Sequence, residues 1–310
     1  MKGQIFISAS TFAKHGDQPL KLLDRSGLSY RINSLGRRLT ADELMDMGGD
    51  CEGAIAGLEP FNSQVIESMP KLKCISRLGV GIDNIDLDKA KQRGIAVRNT
   101  PDVVSQPVAE LTVGFAFDLL KRVSVQTASL KAGRWEKKTG NLLSEQTFGI
   151  IGLGRIGRRT AELIRSLGAK VYGCDIAPDL DWAKQAGVKI IALDQLLLAC
   201  DIVSIHITFR EDAPFVLGKK EISSMKKGAM LINVARGQFV DENALYDALK
   251  DGHLAGAGLD VFGQEPYKGK LCDIENIVLT PHVATLTKES RIQMELEATQ
   301  NLIRFFETNK

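Results

Sequence analysis

The sequence has almost no charge excess. Forty Lys and Arg stand against thirty-eight Asp and Glu in 310 residues, a formal +2 with no long run of either sign. That balance argues against nucleic acid or an anionic membrane as the main partner. Long apolar runs are missing too. None approaches the ~20 residues a membrane-spanning helix needs, and MKGQIFISAS at the N-terminus lacks the apolar core of a secretory leader. The five cysteines (Cys51, Cys74, Cys174, Cys200 and Cys272) form no CxxC pair and no Cys/His cluster with zinc spacing. Neither a disulfide framework nor a metal site is expected. Several lie in apolar runs, as buried free thiols do, which suits a reduced, cytoplasmic protein. Histidine is scarce, with only His15, His206, His253 and His282 available for proton transfer near neutral pH.

What the chain does have is a repeated alternation of short apolar strands and helices. QIFIS (4–8), GAIAG (53–57), KCISRLG and IAVRN read as strands. Between them, TADE (40–43) has capping-box spacing before a helix stopping at Gly48-Gly49, and Asn62 can cap a helix ending near Met69-Pro70. Residues 86–93 read as a helix closed by Gly94. QPVAELTVGFAFDLLKRV (106–123) predicts one long helix, apolar nearly all round and therefore buried between domains or subunits. The alternation then restarts, with QTFGII, AKVYGCD, DIVSIHI, AMLINVAR and LAGAGLDVF as strands. A final amphipathic helix from Lys288 places Ile292, Leu296, Thr299, Leu302 and Phe306 along one face. This rhythm predicts an α/β protein of two doubly wound parallel-sheet domains, with a boundary near Thr100-Pro101 and a second crossing soon after His282.

GLGRIG places Gly152, Gly154 and Gly157 in GxGxxG spacing after a strand and before an amphipathic helix. The first glycine allows the tight turn, the second lets backbone approach a pyrophosphate, and the third permits close helix–strand packing. The helix N-terminus supplies free N–H groups. The next strand ends at Asp175, 18 residues past Gly157. An acid there accepts from ribose hydroxyls and repels a 2′-phosphate, so the cofactor expected is NAD. Arg155 and Ile156 lie in the same loop, Arg155 toward the pyrophosphate.

LTPHVAT carries His282 directly after Pro281. Taken alone, a loop histidine is more often structural than catalytic. NVARG, however, places Arg236 at the carboxyl end of a strand, and GLDVFGQEP adds Asp260 and Glu265. Together these types suit a 2-hydroxy acid. Arginine is a fork-shaped carboxylate donor, an imidazole takes the hydroxyl proton as hydride leaves C2, and a carboxylate behind it fixes its tautomer.

In order and spacing, RLGVGIDNID (77–86), GIIGLGRIG, LINVARG, GLDVFGQEP and LTPHVAT resemble the D-isomer-specific 2-hydroxyacid dehydrogenases along essentially the whole chain. The resemblance implies a Rossmann NAD-binding domain (100–286) inserted in a flavodoxin-like substrate domain (1–99 and 287–310). It implies that His282 is the acid/base, that Glu265 orients it, and that Arg236 binds the carboxylate and polarises the carbonyl. Gly79, Val80 and Gly81 would offer amides to the substrate carboxylate. Asp260 and the carbonyl of Ala235 would take the nicotinamide amide, and His206 would line the cofactor. LKAGRWEKK resembles the region through which family members form homodimers, with Trp135 approaching the neighbouring active site.

Within the family, RLGVGIDNIDLDKAKQRGI looks most like the 3-phosphoglycerate dehydrogenase branch. That branch has an arginine-containing loop after its third strand, where this chain has AGLEPFN, with Glu59 and no cation. Arg77, or Lys137 and Lys138 supplied by a second copy, are the compensating cations expected for a phosphate. Thr208 replaces a usual proline, and Thr285-Leu286-Thr287 is bulkier than the common pattern. The chain ends soon after its closing helix, so serine feedback through a regulatory domain is not expected. The alternative reaction is that of a glyoxylate or hydroxypyruvate reductase. The alternative class is an NAD-sensing co-repressor.

Overall fold

The computed structural model describes residues 4–101, 103–208 and 217–308. The chain divides into two compact units, Met1–Val104 with Thr285–Lys310 (unit 1) and Ser105–Ala284 (unit 2).

Unit 1 opens with β1 (Gln4–Ile7), α1 (Gln18–Ser26), β2 (Ser29–Ile32), α2 (Ala41–Gly48), β3 (Gly53–Ala56), α3 (Ser63–Ser68), β4 (Cys74–Arg77), α4 (Leu87–Gln92) and β5 (Ala96–Arg98). The five strands are parallel in the order β2-β1-β3-β4-β5. β3 and β4 are buried at every position, as central strands of a sheet covered on both faces must be. The loops entering the helices are closed by side chains. Thr40 and Glu43 form a reciprocal capping box, while Asn62 and Asp86 accept from Val65 N–H and Lys89 N–H.

Unit 2 begins with α5 (Ser105–Lys121) and α6 (Val123–Lys131), followed by β6 (Thr147–Ile151), α7 (Arg155–Ser166), β7 (Lys170–Cys174), α8 (Leu180–Ala186), β8 (Lys189–Ile190), α9 (Leu193–Ala199) and β9 (Ile202–Ile205). α10 (Lys219–Ser224), β10 (Met230–Asn233), α11 (Glu242–Lys250), β11 (Gly256–Leu259) and β12 (Ile277–Leu279) complete it. Its seven strands are parallel in the order β12-β11-β10-β9-β6-β7-β8. Phe148, Ile150, Ile164, Val203, Leu231 and Leu259 lie in the apolar clusters on its faces. α12 (Lys288–Thr308) returns to unit 1.

Two expectations about helices need correction. The long helix from 106 to 123 breaks at Arg122, whose backbone is left-handed (φ 54°), and Asp118 accepts from Ser124 N–H at 2.7 Å to start α6. It is not buried all round either, since Glu110 and Phe117 are exposed. On α12 the buried face centres on Arg291, Met294, Glu295, Ala298 and Leu302, while Ile292, Leu296 and Phe306 are only half-buried. The rotation lets an ion pair face inward. Glu295 takes Arg291 Nη2 at 3.1 Å and Ala13 N–H at 2.9 Å, and Arg291 donates to Thr11 Oγ1 at 2.7 Å. Burial pushes the Glu295 carboxyl up despite the arginine. Removing one member of such a pair costs about 3–5 kcal/mol.

The thiols of Cys51, Cys74 and Cys200 are buried and pushed up to about 12 by desolvation, which keeps them unreactive. Among the described residues no helix is long and apolar enough to cross a membrane, and no cluster of His, Cys, Asp and Glu could hold a metal ion.

Candidate active site

The glycine loop joins β6 to α7. Gly152 has φ +94°, and a Cβ there would lie 2.8 Å from the backbone of His206. Gly157 packs against the carbonyl of Gly152 with no room for a side chain. Gly154, by contrast, faces open space. It leaves the start of α7, at Arg155 and Ile156, open to a phosphate. Asp175, just past β7, accepts from Leu153 N–H at 2.6 Å and Ala177 N–H at 2.9 Å. The acid is therefore fixed at the rim of the loop, and its remaining lone pairs suit ribose hydroxyls.

One supporting residue escaped the sequence reading. Arg158 donates Nε to the Leu153 carbonyl at 3.0 Å, pairs with Asp179 at 3.1 Å and lies 4.8 Å from the centre of the Trp182 ring. It braces the glycine loop against α8. Its only sequence signal is an arginine one turn into the helix, which many surface helices share.

His206 follows β9 and is buried. Its Nε2 meets Ser204 Oγ at 2.9 Å, while Nδ1 is buried without a partner among the described residues. Desolvation pushes it down to about 3, so the ring stands neutral, while the His206 backbone lies against Gly152. An unpaired buried nitrogen, an open Gly154 and a fixed Asp175 together fit a dinucleotide.

The second group of residues lies at the carboxyl ends of β10, β11 and β12. Asn233 holds the first turn, donating Nδ2 to the Arg236 carbonyl at 2.8 Å and accepting Ala235 N–H at 3.1 Å. Arg236 Nη1 in turn donates to the Ala235 carbonyl at 2.7 Å. Gly237 touches the backbone of Phe262 and Gly263 so closely that any side chain would collide. This contact brings the turn carrying Arg236 against the loop carrying Glu265. Glu265 accepts from Phe262 N–H at 3.3 Å, and its oxygens lie 3.0 and 3.2 Å from His282 Nδ1.

His282 has φ +56°, a left-handed backbone that L side chains rarely adopt. Asp260 explains how the turn holds. Fully buried, it accepts from Thr280 Oγ1, from Val283 N–H at 2.8 Å and from Ala284 N–H at 2.9 Å. Donors on both sides of His282 thus converge on one carboxylate. The resemblance gives Asp260 the nicotinamide amide as partner. In this structure its oxygens are enclosed and bonded to the 280–284 turn, so what it visibly does is fix His282. With Glu265 accepting Nδ1–H, Nε2 of His282 is the nitrogen left to face a reacting oxygen.

In unit 1, Gly79 has φ +125° and its N–H donates to Thr100 Oγ1 at 2.7 Å. Of the expected carboxylate donors 79–81, that amide is already committed. Arg77 Nη1 donates to the Leu78 carbonyl, folding the guanidinium beneath Gly79. Glu59 is buried, with Oε2 accepting from Ser8 Oγ at 3.0 Å and Gly57 N–H at 2.8 Å. His15 and His253 lie outside both groups, and His253 Nε2 meets the Ile222 carbonyl at 3.1 Å.

Residues 113–284 match the family described as D-isomer specific 2-hydroxyacid dehydrogenase, NAD binding domain. A glyoxylate reductase of Korarchaeum cryptofilum is 36% identical over 265 residues, covering 83% of this chain and 80% of that protein. The human D-3-phosphoglycerate dehydrogenase is 39% identical over 261 residues, 82% of this chain but only 49% of that protein. The chain thus spans about half the length of that relative. Among solved structures, a protein of Thermus thermophilus superposes with a TM-score of 0.90 at 30% identity, covering 99% of this chain and 98% of that one. The D-lactate dehydrogenase of Aquifex aeolicus, complexed with NAD and lactic acid, does so at 0.85 and 28% identity, covering 99% and 96%. The paired parallel sheets, the dinucleotide loop and these likenesses lead to one conclusion: the chain belongs to the D-isomer-specific 2-hydroxyacid dehydrogenase family and is an NAD-dependent oxidoreductase.

Proposed function

We propose that the protein interconverts a short D-2-hydroxy acid and its 2-oxo acid, with Arg236, Glu265 and His282 as the catalytic set. The glycine loop 152–157 and Asp175 would hold the cofactor, which would supply a hydride acceptor for C2 as NAD and a hydride donor as NADH. His282 Nε2 takes the hydroxyl proton during oxidation and returns it to the carbonyl oxygen during reduction. Glu265 keeps the Nδ1–H tautomer and stabilises the imidazolium that forms. Arg236 binds the substrate carboxylate and polarises the carbonyl. The observation that carries this reading is His282 held in a left-handed turn by Asp260 while Nδ1 faces Glu265 at 3.0 Å.

Gly152, Gly154, Arg155, Ile156, Gly157, Asp175, His206 and Ala235 form the cofactor site in this reading. Unit 1 is the substrate domain. Because Gly79 N–H is spent on Thr100, the carboxylate donors narrow to the amides of Val80 and Gly81. The substrates raised by the sequence, 3-phosphoglycerate on one side and glyoxylate or hydroxypyruvate on the other, differ by a phosphate. We also propose a cytoplasmic homodimer. Val123, Leu130, Trp135 and Leu142 all expose apolar surface within one stretch, Trp135 to 81%, and surface of this kind marks an interface. Trp135→Ala should weaken the dimer in sedimentation and slow turnover if the indole reaches the neighbouring site.

Mixing the purified protein with NADH and a set of 2-oxo acids tests the reading. NADH oxidation with at least one of them is expected. NADH bound tightly but not oxidised by any would contradict it and favour a sensor.

A further inference from the structure

In the β2-β1-β3-β4-β5 sheet of unit 1 the winding reverses between β1 and β3. Open parallel sheets of this order bind ligands in the crevice at the carboxyl ends of the strands flanking that reversal. Here Ser8 directly follows β1, and Glu59 lies three residues past the end of β3. Ser8 Oγ donates to Glu59 Oε2 at 3.0 Å, joining the two sides of the reversal through a carboxylate. Gly57 N–H donates to the same oxygen at 2.8 Å. Beyond β4, Asn84 Nδ2 donates to the carbonyls of Gly57 at 3.2 Å and Glu59 at 2.6 Å. The Glu59 loop is therefore tied to the chain that runs on from Gly79–Gly81.

Glu59 is only 2% exposed and Ser8 is fully buried. A Cβ on Gly57 would meet Oε2 at 2.9 Å. Such an acid is held in place and cannot swing away from a ligand. Both bonds fall on Oε2, which leaves Oε1 as the oxygen open to a further donor. Residues 57–63, GLEPFNS, contain no Lys or Arg. Arg77, whose strand position pairs with Ala56, has its Nη1 turned onto the Leu78 carbonyl.

We propose that Glu59 is a specificity-determining residue: a fixed carboxylate at the β1/β3 switch point that admits 2-oxo acids with uncharged, hydrogen-bond-donating side chains and rejects phosphorylated ones. The proposal rests on the reading of unit 1 as the substrate domain of a 2-hydroxyacid dehydrogenase. A phosphate brings nearly two negative charges. Against a fixed carboxylate away from bulk water, that repulsion is several times stronger than in solution. A hydroxyl, in contrast, donates to Oε1. Charge-assisted bonds of that kind are roughly twice as strong as neutral ones.

The test compares kcat/KM for hydroxypyruvate, pyruvate and 3-phosphohydroxypyruvate, with NADH, in the unaltered protein and in Glu59→Gln. The unaltered protein should favour hydroxypyruvate over the phosphorylated acid by at least about a hundredfold, and over pyruvate by about tenfold. Glu59→Gln should narrow the first ratio by at least about tenfold, mostly through KM. A preference of the unaltered protein for the phosphorylated acid overturns the proposal, whether or not the variant folds. A folded Glu59→Gln with both ratios unchanged overturns it too and makes Glu59 a loop fastener only. Silence of the unaltered protein on all three acids and on glyoxylate overturns the dehydrogenase reading itself, and the proposal with it.

Discussion

Asp260 and Glu59 are both buried acids near the carboxyl end of a parallel strand, and both collect donors from neighbouring loops. Asp260 takes the Thr280 hydroxyl and two N–H groups, Val283 and Ala284. Glu59 takes one hydroxyl and one N–H, from Ser8 and Gly57. The difference lies in what each acid fixes. In unit 2 the donors bracket His282, so the carboxylate shapes the turn that presents the proposed proton carrier. In unit 1 the donors, Ser8 and Gly57, bracket no titratable side chain, and in the proposal the carboxylate is itself the feature a ligand would meet. On the proposed reading, the same device serves chemistry in one unit and selection in the other.

If that contrast is right, changes in unit 2 should act on turnover and changes in unit 1 on substrate choice. The largest effect is expected at His282. His282→Ala should lower kcat by about a thousandfold, the middle of the range for a general acid–base, with NADH affinity retained in a fluorescence titration. Unchanged turnover would remove His282 from the chemistry. Arg236→Lys comes next, since an ammonium cannot reproduce the two-pronged hold on a carboxylate. Steady-state kinetics should show kcat/KM down by about a hundredfold, shared between its two parts. Asp260→Asn should lower kcat by roughly tenfold or more, because an amide accepts through one oxygen only and leaves a buried donor of the turn unpaired. If Asp260 instead served mainly to hold the nicotinamide, NADH dissociation would rise in step with the loss of kcat.

Smaller effects sharpen the cofactor side. Asp175→Ala should shift the NAD/NADP ratio of kcat/KM by about tenfold toward NADP, since the carboxylate that repels a 2′-phosphate is gone. A stability test isolates His206. Its folded-state value is pushed down to about 3 from 6.5 by burial. The fold therefore keeps the ring neutral, and the unfolded chain binds the extra proton between those values. Stability from this group is present above pH 6.5 and is lost as pH falls toward 3. Thermal midpoints should fall less steeply over that window in His206→Gln than in the unaltered protein. Parallel slopes would mean that the ring is not held neutral by the fold.

The parts legible in the sequence were those fixed by local chemistry. GxGxxG after an apolar strand announced the tight turn between β6 and α7 because a positive φ at Gly152 and the close packing of Gly157 both need glycine. Thr40, Asn62 and Asp86 announced helix starts because a short polar side chain before an apolar run has little else to do. Residues 9–39, with α1 and β2, carry no such local mark. β2 is mostly exposed, so its sequence shows no strong apolar pattern. The break at Arg122 was hidden because left-handed arginine has no compositional mark. The burial of Asp260 and Glu59 was hidden for a different reason. An acid in a loop looks exposed until the loops that donate to it are known, and those donors lie 20–24 residues away for Asp260 and 51 away for the Ser8–Glu59 bond. Gly237 is a similar case, because its need for hydrogen as a side chain comes from Phe262 on another loop.

The most direct measurement is one turnover of a 2-oxo acid, hydroxypyruvate first, with NADH deuterated at the transferable position of nicotinamide C4. The product is then analysed for isotope position and configuration. The account predicts a D-2-hydroxy acid carrying deuterium at C2. An L product, or NADH consumed with no deuterium at C2, would contradict it.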